Sequence, residues 1–271
     1  MRIYVMTLFP EMVENAVHVS ITGRAMDEGK LDLKCVNIRD FSKDKHRKVD
    51  DYPFGGGAGM VMAAQPVYDC YQHIHEEIGH DCPVIAMSPK GATFCQKKAK
   101  EISANQDLIL LCGHYEGIDQ RVLDEIVTDY ISIGDFVLTG GELAACVVID
   151  TVARLIPGVL GNDESAQTES FENDLLEYPQ YTRPEEWNGQ KVPEILMSGN
   201  HRLVDEWRLE KSVERTRQMR PDLFQKALPG LKKSLSNRLK KKLLRPGEIC
   251  DKLSWLQKNN DGPLGTQAEE E

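Results

Sequence analysis

Ile131-Ser132-Ile133-Gly134-Asp135-Phe136-Val137-Leu138-Thr139-Gly140-Gly141-Glu142 is a short apolar run that breaks into glycines and then enters a helical pattern. It reads as a strand, a ligand-facing loop and a helix start. Glycine admits positive φ and lets a flat ligand approach main-chain N–H and C=O groups with no side chain between them. That is the chemistry of an adenosine pocket. No Gly-x-x-x-x-Gly-Lys-Ser/Thr occurs, and no Gly-x-Gly-x-x-Gly follows a strand-like run, so the loop does not read as a phosphate cradle.

Upstream, Leu108-Ile109-Leu110-Leu111-Cys112 is a continuous apolar run, the pattern of a strand buried on both faces, and it opens into Gly113-His114-Tyr115-Glu116-Gly117. A third apolar run, Pro83 to Met87, ends at Ser88-Pro89. Three strand ends with special loops fit ligand binding at the carboxyl edge of a parallel α/β sheet. A plain turn is the lesser reading of any one of these loops taken alone, and three together weaken it further.

Composition narrows the class. The chain has 271 residues, enough for one large or two modest cores, and a net charge of −10. The charge is uneven: residues 201–245 hold 14 Lys and Arg against 5 Asp and Glu, leaving 19 against 38 elsewhere. A local basic face suffices to attract phosphate backbones, although such runs read by themselves as solvated helix faces. A smaller cluster is Arg39, Lys43, Lys45, His46, Arg47 and Lys48. No run approaches the length of a membrane span and the first residues read as a strand, so a cytoplasmic protein is expected. Seven cysteines with no Cys-x-x-Cys give neither a disulfide framework nor a zinc site, and are expected to be reduced and mostly buried.

Strand-like and helix-like segments alternate through residues 1–160, with Leu33 and Cys35 on one side of a strand and Val36 and Ile38 on the other. Leu143, Cys146, Val147, Ile149 and Val152 give a mostly buried helix that stops at Pro157-Gly158. Residues 161–173 are polar and are expected to form a mobile linker. Residues 174–246 read as a small helical domain in which Asn200 caps a helix, Val204 and Trp207 point to a core, and Arg208, Lys211 and Arg215 share a face. Pro221 and Pro229-Gly230 are expected to cut this part into short helices carrying Leu231, Leu235, Leu239 and Leu243. Residues 247–271 read as a polar, partly disordered tail.

Several long motifs, in order, resemble one family. These are Asp51-Tyr52-Pro53-Phe54-Gly55-Gly56-Gly57-Ala58-Gly59-Met60, Ser88-Pro89, Leu111 to Asp119, Ile133 to Glu142, Leu175 to Pro184, and Ser198-Gly199-Asn200-His201. The chain is similar to the bacterial tRNA (guanine-N1)-methyltransferases acting at position 37, the TrmD family of the knotted SPOUT superfamily. The resemblance implies a parallel-sheet α/β methyltransferase domain with a deep trefoil knot, followed by the helical tRNA-binding domain. It also implies a homodimer in which the partner chain completes each site.

The same resemblance assigns the site. Gly113, Ile133, Gly134, Asp135, Phe136, Val137 and Leu138 would hold the adenosine and methionine parts of S-adenosylmethionine, with Pro89, Tyr115, Gly140 and Gly141 as walls and Glu116 near the cationic cofactor or a divalent ion. The family has been associated with magnesium dependence. N1 of guanine carries a proton, so methyl transfer asks for a base there and a donor at O6. The family's base is an aspartate before Ser-Phe, where this chain has Glu169, with Glu164 and Glu172 as neighbouring alternatives. Arg154 matches the arginine beside O6, and reads otherwise as a helix-terminal cation favoured by the helix dipole. His46, Gly59, Ser165, Ser170, Arg183, Asn200, His201, Arg208, Lys211 and Arg215 are assigned to the tRNA anticodon stem-loop, with G36 as a determinant beside G37. Asp174 replaces a glycine usual in the family. The competing expectations are another knotted RNA methyltransferase, acting on a ribose or a different base, and a catalytically weak tRNA-binding homologue.

Overall fold

The structure, a computed structural model, describes residues 1–161, 169–235, 240, 243 and 244. The chain forms two compact units, Met1–Ala166 and Gln167–Glu271. Most of the segment expected to be a linker, and all of the 247–271 tail, lie outside the described residues. Among those described, no helix is long and apolar enough to cross a membrane.

The first unit is built on five parallel strands. In chain order they are β1 (Arg2–Thr7), β2 (Asp32–Asn37), β5 (Val84–Thr93), β6 (Asp107–Cys112) and β7 (Asp129–Ser132), and in space they run β2-β1-β6-β5-β7. A short antiparallel pair, β3 (Asp50–Asp51) and β4 (Val61–Met62), stands apart. Because β1 and β6 are central, both their faces must be covered, and every residue of β6 is buried. Alternate side chains point to opposite layers. Ile3, Val5, Leu108 and Leu110 meet α1 (Pro10–Val17), α2 (Ser20–Asp27), α4 (Gln96–Ser103) and α6 (Glu142–Ala153). Tyr4, Met6, Ile109 and Leu111 meet α3 (Ala64–Ile78) and α5 (Gln120–Ile126). The β2 alternation holds, since Leu33 and Cys35 pack into the first layer and Val36 and Ile38 into the second.

Local chemistry sets the helix ends. Proline opens α1, where its missing N–H costs nothing. Gly79 closes α3 in the left-handed conformation with φ of +80°. Asp119, in the long glycine motif, caps α5 by accepting from the Arg121 N–H at 3.0 Å.

Four expectations need correction. Strand β5 does not stop at Met87; it runs to Thr93, and its pairing with β7 skips from Met87 to Ala92. Ser88 to Gly91 are thrown out of the ladder as a bulge, and a sequence pattern cannot tell a bulge from a strand end. Helix α6 buries Ala144, Ala145, Val148, Ile149 and Val152 but leaves Leu143 and Val147 exposed. Apolar residues lie around most of its circumference, so periodicity could not choose which face meets the core. Of the six described cysteines, all free, only Cys70 and Cys112 are buried, and Cys95 is exposed.

The fourth correction concerns the second unit, where a hairpin, β8 (Glu186–Trp187) with β9 (Gln190–Lys191), precedes α7 (His201–Met219) and α8 (Pro221–Ser234). Pro229 does not divide this region; it lies inside α8. The lost hydrogen bond is offset by the stripe Phe224, Ala227 and Leu231, which packs with Val213, Leu175, Leu235 and Leu243. Leu239 lies outside the described residues. The Asn200 side chain caps α7, accepting from the Leu203 N–H at 3.3 Å. Val204 is buried and Trp207 partly so.

Candidate active site

The loops after β6 and β7 and the β5 bulge converge at the carboxyl edge of the sheet, around a cavity of about 350 Å³. That is within the ordinary range for a small-molecule site, about 300–1,000 Å³. Pro89 and Ser88 come from the bulge, Gly113 to Gly117 from the β6 loop, and Ile133, Gly134 and Phe136 to Gly141 from the β7 loop. Every residue assigned to the cofactor lines this cavity except Asp135, which lies in the same loop but not on the wall. A reading by motif missed Met87, Ile131 and Ala144 on the floor, since buried apolar residues beside a pocket carry no signal of their own.

The two glycine loops are fastened together. His114 and Gly140 form an isolated antiparallel bridge, and Gly141 donates its N–H to the Gly113 carbonyl at 3.0 Å. A Cβ on Gly141 would lie 2.8 Å from the Cys112 Cα, so only glycine permits this approach of backbone to backbone. Beneath them lies a polar cluster that the sequence did not single out. Glu142, at the first position of α6, is 1% exposed; it accepts from the Thr7 hydroxyl at 2.7 Å and stands 3.1 Å from His114 Nε2. Thr7 in turn accepts from the Phe9 N–H at 2.9 Å. The only hint was an acidic residue following two glycines at a helix start, where the helix dipole favours it.

The rim joins this site to the glycine-rich segment 51–60. Glu116 donates its N–H to the Met60 carbonyl at 3.0 Å, and Gly59 lies against the Glu116 side chain. Tyr115, held at φ of +59°, accepts from Arg39 at 3.2 Å. Tyr52 and Phe54 are exposed, and so is His46 in the basic cluster. Among the described residues, Glu116 is the only carboxylate on the cavity wall, and no group of three or more metal-ligating side chains exists. One carboxylate does not make a magnesium site.

Arg154 does not line the cavity. It stands at the C-cap of α6, ten residues beyond Ala144, the α6 residue on the cavity wall, which is about 15 Å of helix at 1.5 Å per residue.

In the second unit, Glu169 is partly buried and Ser170 accepts from the Glu177 N–H at 3.0 Å. Arg183 and His201 are exposed. Arg208 lies over the Tyr178 ring at 5.0 Å, Lys211 pairs with Glu214 at 2.7 Å, and Arg215 donates to the Glu177 carbonyl at 3.1 Å. The Glu214 carboxylate holds the Lys211 ammonium above its ordinary pKa. Ser165 and Glu164 lie outside the described residues. The departure at Asp174 has a physical trace: its φ is +58°, in the region that glycine adopts most readily.

Comparison with known proteins agrees with this geometry. The family model described as tRNA (Guanine-1)-methyltransferase TrmD matches residues 1–226. The chain is 60% identical over 225 residues to a protein of Lachnospira eligens named tRNA (guanine-N(1)-)-methyltransferase, covering 83% of this chain and 95% of the relative. It is 56% identical over 228 residues to one of the same name from Clostridioides difficile, covering 84% and 99%. A relative of that name from Ruminiclostridium cellulolyticum is 57% identical over 226 residues, covering 83% and 97%. With the match running through all three cavity loops and both units, the chain belongs to the tRNA (Guanine-1)-methyltransferase TrmD family.

Proposed function

We propose that this protein transfers a methyl group from S-adenosylmethionine to N1 of guanine 37 in tRNA, with G36 as the neighbouring determinant, in the cytoplasm. The observation that carries the reading is the cavity walled by the backbone-rich loops after β6 and β7, where a flat adenosine meets main-chain groups. Bound there, S-adenosylmethionine supplies a methyl group already activated by its sulfonium. Glu116, on the wall, favours the positive charge of the sulfonium. Glu169 takes the proton from N1 and Arg154 donates to O6 as negative charge gathers there. Glu116 alone is a poor ligand set for magnesium among the described residues.

Membership of the family supports a chain threaded as a deep trefoil knot. The distance of Arg154 along α6 from its own cavity, with the exposed apolar residues Phe9, Met12, Val19, Leu143 and Val147, supports a homodimer in which a second copy completes each site. The 51–60 segment, the basic cluster at 39–48, Ser165, Ser170 and the cations of α7 would hold the anticodon stem-loop through phosphate and base contacts.

The test is transfer of labelled methyl to unmodified tRNA bearing G36 and G37, beside an A37 control and an Arg154→Ala enzyme. Label on the G37 substrate alone, lost in the variant, is the expected result. Cofactor and tRNA binding without transfer would mean a binding protein instead.

A further inference from the structure

We infer that Glu142, Thr7 and His114 form a positioning clasp that sets the distance between the two cofactor loops, and so governs cofactor affinity rather than the chemical step. The inference rests on the proposed binding of S-adenosylmethionine in the cavity. Its three members come from three separate elements: Thr7 ends β1, His114 lies in the loop after β6, and Glu142 begins α6 directly after the β7 loop. A carboxylate only accepts, so the geometry gives one direction of donation: Phe9 N–H to Thr7, Thr7 hydroxyl to Glu142, His114 Nε2–H to Glu142. Thr7 is fully buried, and His114 is wedged against the Phe9 ring at 4.9 Å between centroids. No member is free to turn away.

The clasp lies directly under the cavity. A Cβ on Gly140 would overlap both His114 Nε2 and Glu142 Oε2, so the hydrogen-bonded pair is packed against the backbone of a residue that walls the cavity. Glu142 and Thr7 themselves do not reach the wall. They act through Gly140 and His114. Apart from this cluster, the described polar tie between the two loops is the His114–Gly140 bridge, to which the Gly141 to Gly113 hydrogen bond belongs. Removing the carboxylate therefore strands the buried Thr7 hydroxyl and the partly buried His114 Nε2–H, and the loops are free to separate.

Glutamine provides the control, because it preserves the geometry without the charge. Its carbonyl accepts from Thr7, and its amide donates to Nε2 once His114 carries its proton on Nδ1. The experiment measures S-adenosylhomocysteine affinity by calorimetry and steady-state methyl transfer on full-length wild type, Glu142→Leu and Glu142→Gln. The expected result for Glu142→Leu is a cofactor Kd and KM raised about tenfold or more, with kcat at saturating cofactor and KM for tRNA within about twofold of wild type. Glu142→Gln should stay within about threefold of wild type throughout.

If Glu142→Leu does not fold, Thr7→Val decides, since it keeps the shape and removes only the hydroxyl; cofactor KM should rise and Thr7→Ser should restore it. An unchanged cofactor KM in the folded variant, a fall confined to kcat, or a glutamine variant as impaired as leucine would overturn the clasp while leaving the proposed function intact. Wild type that fails to bind S-adenosylhomocysteine would overturn the proposed function, and the clasp with it.

Discussion

Asp107 shows how a single buried charge is tolerated far from the cavity. It begins β6 at the opposite edge of the sheet, its side chain is fully buried, and it pairs with Arg2 and with His80 at 3.0 Å. Burial pushes its carboxyl up, but the Arg2 hydrogen bond and charge, with His80, more than offset this and hold it below the ordinary carboxylate value. A depressed folded pKa contributes stability that is present above the unfolded value, about 3.9, and is lost as pH falls through the folded one. Thermal melts should therefore show wild type losing stability below about pH 4, and Asp107→Asn about 2 kcal/mol less stable near neutrality with a flatter acid limb. Parallel acid limbs would refute the assignment. At the cavity, Gly141→Ala should destabilise by about 2 kcal/mol, because the added Cβ meets the Cys112 backbone, which cannot rotate out of the way. At the proposed base, Glu169→Gln should lower kcat about 10²–10⁴-fold with tRNA affinity retained, and full activity in that variant would remove Glu169 from the role.

Among the elements, α6 links structure to site: its first residue stands under the cavity, its middle fills the core, and its C-cap is Arg154. A shift along its axis would disturb all three. In the second unit, α7 is held by its cap and by Thr216, which donates to the Ser212 carbonyl and accepts the Leu176 N–H. Asn200 was assigned to tRNA, yet its side chain is engaged in capping. Asn200→Ala is expected to cost about 1 kcal/mol of stability, and Asn200→Ser to recover most of it. A tRNA affinity that falls in the serine variant despite recovered stability would show that the amide also contacts RNA.

For the whole molecule, the two units have separate cores, and the cavity belongs entirely to the first. A ligand that binds only the folded form stabilises by about 2.7 kcal/mol at a hundredfold excess over Kd. Saturating S-adenosylhomocysteine is thus expected to raise the melting of the first unit by roughly 5–10 °C in calorimetry. An unmoved transition would place the cofactor elsewhere.

The sequence by itself determined the parallel sheet, the three loops that meet at its edge and the capped start of α7. Apolar runs, glycines and caps are local signals, written within a few residues of where they act. Tertiary structure decided the bulge at Ser88 to Gly91, the exposed face of α6, the continuity of α8 through Pro229 and the displacement of Asp135 from the wall. It also brought Thr7, His114 and Glu142 together. Those three residues are 107 and 28 positions apart along the chain, so no window of sequence contains them. Which side of an apolar helix is buried, and which distant donor meets a buried carboxylate, depend on what packs against them, and only the assembled fold supplies that.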